Sequence, residues 1–249
     1  RKTVMRYTSE WNELTRQMGY WVDMEAPYVT YHTKYMESVW WLLAQLHQKG
    51  MLYKGYTIQP YSPMAGTGLS SHELNQPGTY RDVKDTTIVA QFHATPESRA
   101  ALLAQVGLAD DGLPVDFLAW TTTPWTLPSN TALTVGPDIR YAVVKTTNRY
   151  TEAAGYVVLA EALVGKQFGD KKAPAHEVVA TLDGRDLVGM RYEALLDWAT
   201  PMDQPENAFQ VIPGDFVTTE DGTGIVHTAP TFGADDARVA KDAGVPAML

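Results

Sequence analysis

The sequence after Asp82 alternates between short β-prone segments and turns, and this pattern limits the possible folds more than any other feature. Each segment is rich in apolar and β-branched residues, and Gly, Pro or Asp residues separate it from the next. The predicted strands are 86–92, 115–119, 131–135, 141–145, 156–159, 177–182, 210–212 and 225–226. Helices are predicted over 97–106 and 234–243, and a third ends at Phe168. The sequence therefore predicts a mixed α/β fold over 82–249, with a barrel-like β core and peripheral helices.

The first 59 residues have a different, helix-rich pattern. Apolar residues recur at helical spacing over 7–18 and 33–49, which predicts two amphipathic helices. The second helix carries Trp40 and Trp41. We interpret this pair as part of a packed helix face rather than as a platform on which bases stack.

Two further predictions concern the residues that follow these helices. Short apolar segments at 51–53 and 56–58 read as a strand that returns to the same core. Residues 60–81 are rich in Pro and Gly and are predicted to be a loop connector. The chain would therefore consist of 1–59, the connector and 82–249.

Composition excludes several classes of function. The net charge is −9, and residues 82–249 hold 12 Lys and Arg against 23 Asp and Glu, which opposes a broad phosphate-binding face. Such a domain could still bind the terminal groups of a nucleic acid. No cysteine is present, so disulfides and thiolate metal sites are excluded. No apolar run approaches the roughly 20 residues of a membrane span and no signal peptide is recognised, so we expect a cytoplasmic protein.

Where the predicted strand 115–119 ends, three hydroxyl side chains follow closely: Thr121, Thr122 and Thr123. Pro124 cannot donate to a sheet ladder and should end the strand there. Since side chains alternate along a strand, the first and third threonines should share one face and the second should point away. With Trp120 and Trp125 beside them, they could form a pocket that binds a small polar group or water. The alternative is a β-branched strand and a Pro turn without such a role.

A second stretch places an imidazole and two carboxylates close together. It begins with the Asp-Gly dipeptide at 221–222, which is typical of a β-hairpin turn. A short strand follows and His227 lies at its end. The helix predicted over 234–243 has Asp235 and Asp236 in its first turn, where acidic side chains stabilise a helix N-terminus.

Together, the two stretches resemble the hydrolytic editing domain of isoleucyl-tRNA synthetase, a class I synthetase. The valine and leucine relatives usually carry Arg at the position of Thr123. Neither typically has the Gly-Ile-Val-His sequence found at 224–227. The resemblance extends to Glu-Ser-Val-Trp-Trp at 37–41 and to Tyr-Arg-Asp-Val at 80–83.

The resemblance implies hydrolysis of the ester between valine and the 3′-terminal ribose of the isoleucine tRNA. Asp236 matches the family's aspartate that binds the α-ammonium group by a charge-assisted hydrogen bond. His227 could be a general base, because histidine titrates near neutral pH. The resemblance instead favours a wall that limits the size of the bound side chain.

The remaining site residues also follow from the resemblance. The threonine segment would hold the substrate carbonyl, the ribose or the attacking water. Trp120 would contact the substrate, and Asn130 would support the pocket. The expected catalytic residues are Thr121, Thr122, Thr123, His227 and Asp236; the expected substrate-binding residues are Trp120, Asn130, His227 and Asp236.

Partners and cofactors follow in the same way. We expect a segment of a longer synthetase, in which 1–59 belongs to the synthetase core or connective stem and 82–249 is the editing domain. Its partners would be a tRNA 3′ end carrying valine and the rest of the synthetase polypeptide, with no membrane. The parent enzyme uses ATP and Mg²⁺. This chain has neither the His-x-Gly-His nor the Lys-Met-Ser-Lys-Ser signature, so we expect it to need no cofactor and no metal.

Two other interpretations stay open. The chain could be a module that binds a tRNA 3′ end without catalysis. It could also be a nucleotide-binding protein built on Gly66 and Gly68 or on Gly222 and Gly224, although the lysine of a phosphate-binding loop is missing.

Overall fold

The computed structural model describes residues 2–170 and 173–248. The chain divides into two compact units, Arg1–Thr57 and Ile58–Leu249. In the described part of the chain, no helix is long and apolar enough to cross a membrane.

Within residues 2–57, the first unit contains three helices: α1 (Lys2–Met5), α2 (Thr8–Gln17) and α3 (Thr33–Gln48). Both amphipathic helices are confirmed, yet neither α2 nor α3 has a buried residue. Trp40 and Trp41 are 66% and 62% exposed, so the prediction that they pack into a core is wrong, because the other described helices of this unit leave that face uncovered. The strand expected between 51 and 58 is also absent, since the described part of the first unit contains no second strand with which it could pair.

Residues 60–81, which were predicted to be a loop, contain two short elements of secondary structure at the start of the second unit. A small antiparallel hairpin joins β1 (Tyr61–Ser62) to β2 (Thr67–Gly68). One helical turn, α4 (Ser71–Leu74), follows and is capped by Ser70. The prediction missed this turn although Ser70 and Glu73 have the spacing of a capping box.

Eight strands form the main sheet: β3 (Ile88–His93), β4 (Val115–Thr121), β5 (Ala132–Val135), β6 (Arg140–Thr147), β7 (Ala154–Ala160), β8 (His176–Asp183), β9 (Gln210–Pro213) and β10 (Ile225–Thr228). Every strand predicted after Asp82 is present. The order is β8-β6-β7-β4-β10-β5-β9, and β3 pairs with β4. One edge of β4 pairs with β3, while β7 and β10 share the other edge.

A short irregular segment closes part of this sheet into a ring. Arg191 forms a bridge with Gln210 of β9, and Tyr192 forms a bridge with Ala94, just after β3. The ring therefore runs through β3, β4, β10, β5, β9 and this segment. Phe92, Phe117 and Leu133 are among the side chains that fill its apolar core. The barrel-like core is confirmed.

Three longer helices lie outside the sheet: α5 (Pro96–Gln105), α6 (Val164–Phe168) and α7 (Ala234–Asp242). All three were predicted. α7 packs through Val239 and Ala240 on a cluster that includes Ala132 and Ile212, so its first turn is held beside the ends of β5 and β10.

The Asp-Gly dipeptide at 221–222 is not the turn of a hairpin, which corrects the prediction. β10 pairs with β4 and β5, whereas β9, the strand before it in sequence, pairs only with β5 among the strands. Close packing explains both glycines here. They have φ angles of +76° and +72°. A Cβ at Gly222 would lie 2.6 Å from Trp120, and a Cβ at Gly224 would lie 2.4 Å from Ala160.

Candidate functional site

A cleft of about 390 Å³ lies where β4 ends beside β10. The strand ends at Thr121, close to Pro124 as predicted, and Pro124 begins a 3₁₀ helix. The lining includes six of the predicted site residues: Trp120, Thr121, Thr122, Thr123, His227 and Asp236. The seventh, Asn130, is buried behind His227.

All three threonines line the cleft, so the prediction that Thr122 points away from the other two is wrong: β4 ends at Thr121, and strand alternation does not continue beyond it. Thr121 and Thr123 have their Oγ1 atoms 3.3 Å apart, and the Thr123 N–H donates to Thr121 Oγ1 at 3.0 Å. Thr122 makes no such contact within the described structure, and it is exposed. The segment thus presents hydroxyl groups to the cleft from an irregular backbone just after β4.

His227 is 5% exposed, and both of its ring nitrogens have partners. Nε2 lies 3.0 Å from Thr126 Oγ1, and Nδ1 lies 2.8 Å from Asn130 Nδ2. A carboxamide nitrogen can only donate, so Nδ1 accepts and the proton of the neutral ring is on Nε2. The Thr126 hydroxyl then donates to the Thr123 carbonyl at 2.8 Å. The imidazole has no free lone pair with which to accept a proton from water.

Burial also keeps this ring neutral. Loss of solvation lowers the pKa of His227 to about 4, although its interaction with Thr126 acts in the opposite direction. At neutral pH the cleft is therefore bounded by an uncharged ring whose position is fixed by two hydrogen bonds.

This shift predicts a pH-dependent loss of stability. Between the unfolded pKa near 6.5 and the folded value of about 4, the unfolded chain binds the proton more readily. Stability should therefore fall as pH falls through this window, by about 3 kcal/mol from this group. Thermal unfolding from pH 7 to pH 4 measures it. His227→Gln should show a shallower fall, whereas His72→Gln, at an exposed position, should follow the wild type; equal slopes for all three proteins would contradict the prediction.

Asp236 lies in the first turn of α7, at the side of the cleft. Its Oδ2 accepts from the Ala229 N–H at 2.8 Å, which ties the helix to the end of β10. Gly233 allows this approach, because a Cβ there would lie 3.0 Å from Asp236 Cγ. Burial raises the pKa of Asp236, the Ala229 N–H lowers it, and nearby Asp235 raises it slightly. The carboxylate is therefore incompletely solvated and lacks a cation among the described residues.

Sequence reasoning missed several residues of this site. Thr126 holds His227, and Tyr192 donates to Asn130 Oδ1 at 2.6 Å. Phe232 also lines the cleft and is 55% exposed; Trp125, which the sequence analysis placed beside the threonines, lines it as well and is 62% exposed. The hydroxyl of Thr126, one turn after Thr123, was the one local signal; nothing near Tyr192 in sequence indicates its contact.

Known proteins resemble this chain along its whole length. The family model described as tRNA synthetases class I (I, L, M and V) matches residues 1–219. The isoleucine–tRNA ligases of Bacteroides thetaiotaomicron and Porphyromonas gingivalis are 58% and 57% identical, over 100% of this chain and 22% of each relative. That of Treponema denticola is 43% identical, over 100% of this chain and 23% of the relative. The chain thus spans about a fifth of the length of these relatives.

Two solved structures share the fold. The editing domain of the P. knowlesi cytosolic leucyl-tRNA synthetase has a TM-score of 0.51 at 12% identity, over 66% of this chain and 64% of that one. GlLeuRS-CP1 has a TM-score of 0.50 at 19% identity, over 64% and 65%. The resemblance to isoleucyl-tRNA synthetase is thereby confirmed, and the chain belongs to the class I tRNA synthetase family that serves isoleucine, leucine, methionine and valine.

Proposed function

We propose that the cleft hydrolyses valine from the 3′ end of the isoleucine tRNA. The observation that carries this proposal is one cleft lined by a half-buried carboxylate, hydroxyl groups and a neutral imidazole. Its volume of about 390 Å³ is within the range of small-molecule sites. In the reaction, a water oxygen attacks the ester carbonyl carbon, the bond to the ribose oxygen breaks, and the ribose oxygen takes up a proton.

Asp236 is the proposed clamp for the α-ammonium group. The raised pKa of its carboxyl reflects burial, and a bound ammonium ion would offset that cost with a charge-assisted hydrogen bond. Oδ2 already bonds to the Ala229 N–H, which orients the carboxylate and leaves Oδ1 for the substrate.

Thr121, Thr122 and Thr123 are the proposed polar contacts for the carbonyl, the ribose and the attacking water. Thr122 and Thr123 are exposed residues that follow β4, and a hydroxyl can both donate and accept a hydrogen bond. Trp120 would pack against the bound ester. The neighbouring ribose hydroxyl, rather than a protein base, would assist the water.

His227 is the proposed wall of the side-chain pocket. Both ring nitrogens are hydrogen-bonded and the ring is almost fully buried. These features argue against a general base and favour a rigid surface. Asn130 supports this wall from behind.

The proposal needs no metal and no cofactor in this chain; ATP and Mg²⁺ would serve the synthetic site of the longer enzyme. The partners are the valine-bearing tRNA 3′ end and the rest of the synthetase. The exposed tryptophans of α3 would pack against that remainder. We propose that this hydrolysis takes place in the cytoplasm, where aminoacyl-tRNA is used.

A direct test compares two esters on one tRNA. Valyl- and isoleucyl-tRNA, both made on the isoleucine tRNA, are incubated with the chain and with a full-length relative, and ester loss is followed. We expect rapid loss of valine and little loss of isoleucine. Binding of the tRNA end without turnover by either protein would favour the non-catalytic module.

A further inference from the structure

Tyr192 lies outside the cleft, but it is the outermost residue of a hydrogen-bond chain that leads to His227, the proposed wall of the cleft. It is 2% exposed, and its hydroxyl donates to Asn130 Oδ1 at 2.6 Å. Asn130 Nδ2 then donates to His227 Nδ1 at 2.8 Å. We propose that Tyr192 is a positioning residue, which acts through Asn130 to fix the tautomer and orientation of His227. This inference rests on the proposed editing function and deepens it.

The orientation of the Asn130 amide decides which proton the imidazole carries. Nδ2 donates to the Ala132 carbonyl at 2.8 Å as well as to His227, so Oδ1 must face the tyrosine. The Tyr192 hydroxyl is the one described donor to that oxygen. Without it, a buried carbonyl oxygen would lack a partner, which is costly. Turning Oδ1 toward His227 would satisfy it, but only if the ring carried its proton on Nδ1.

The structure holds Tyr192 from several sides. Its N–H donates to the Phe209 carbonyl at 3.1 Å, and its ring meets Phe92 and Phe209 edge-on at centroid distances of 5.3 and 6.1 Å. Phe209 has a φ angle of +60°, a strained conformation for a bulky residue. In that conformation its N–H donates to the Thr131 carbonyl at 2.7 Å, beside Asn130. Phe209 thus connects Tyr192 to the segment beside Asn130, whose amide Tyr192 orients.

The chemistry of the hydroxyl fits this role. Burial raises the pKa of Tyr192 well above its usual value, so the group stays protonated and remains a donor to Asn130. The order of donors runs from Tyr192 through Asn130 and His227 to Thr126.

Nitrogen NMR of ¹⁵N-histidine-labelled chain tests the inference, because the two ring nitrogens differ in shift according to which is protonated. His227→Asn identifies the His227 signals among those of the six histidines. In the wild type we expect Nε2 to be protonated and Nδ1 unprotonated. In Tyr192→Phe we expect the other tautomer to become populated, and the ratio of valyl- to isoleucyl-tRNA hydrolysis to fall threefold to roughly tenfold.

Tyr156→Phe is the matched control. Tyr156 is 4% exposed, and its hydroxyl donates to Asp111 at 2.8 Å, away from the cleft; the tautomer and the ratio should not change. If Tyr192→Phe fails to fold, Asn130→Ser breaks the same chain and should also populate the second tautomer.

The outcomes separate the two proposals. A wild-type His227 protonated on Nδ1, or an unchanged tautomer in a folded Tyr192→Phe or Asn130→Ser protein, overturns the inference even if selective hydrolysis is observed. A tautomer change in a protein that never hydrolyses valyl-tRNA supports the inference and overturns the editing function.

Discussion

Asp236→Ala is expected to lower hydrolysis of valyl-tRNA by roughly ten- to hundredfold while the domain stays folded. A charge-assisted hydrogen bond to the substrate ammonium contributes about 1.5–3 kcal/mol, which is the source of this range. Because the side chain lies in the first turn of α7 at the side of the cleft, its removal leaves the apolar contacts of the helix intact. Single-turnover deacylation by the variant measures the loss.

Asp235→Ala is the matched control for this experiment. Asp235 occupies the same helical turn, but its side chain is 68% exposed and pairs with Arg238 at 3.5 Å. Deacylation by Asp235→Ala should remain close to that of the wild type. Near-normal deacylation by a folded Asp236→Ala protein would rule out the clamp.

His227→Ala is expected to let isoleucyl-tRNA be cleaved while at least part of the valyl-tRNA cleavage remains. One methylene changes binding by only about 1–3 kcal/mol in an attractive pocket, a value for which isoleucyl-tRNA synthetases are themselves the usual example. A second site must therefore reject isoleucine by steric exclusion. Forcing a methylene against a packed wall costs about 1–3 kcal/mol and displaces the ester from the geometry of attack. Removing the ring removes that obstacle.

Comparing the rates for both esters distinguishes the roles of this histidine. An equal loss of both activities would show that His227 acts as a base. No change in either would place it outside the functional site. His176→Ala, which removes an exposed histidine from edge strand β8, should leave both rates unaltered.

The sequence predicted the strands and the two segments that line the cleft because those features are local. The apolar, β-prone residues from Val115 predicted β4, and Pro124 marked the strand end. Helix-start chemistry placed Asp236 in the first turn of α7. Each inference depends on neighbours within a few residues, and for these the pattern of side chains is sufficient.

Contacts between distant parts of the chain could not be predicted in this way. Thr126 and His227 are 101 residues apart, and Tyr192 and Asn130 are 62 apart. The Trp40–Trp41 prediction was wrong for a related reason. Periodicity identifies an apolar face of a helix, but it does not tell which part of a protein covers that face.

The position of β10 has a consequence for the order in which this protein can fold as it is synthesised. β10 lies between β4 and β5, although both precede it by most of the domain. Until residues 225–228 leave the ribosome, β4 and β5 each keep an unpaired stretch of edge, and such edges favour aggregation. The same strand carries His227. A nascent chain therefore acquires its last sheet pairings and the histidine of the cleft in a single late step.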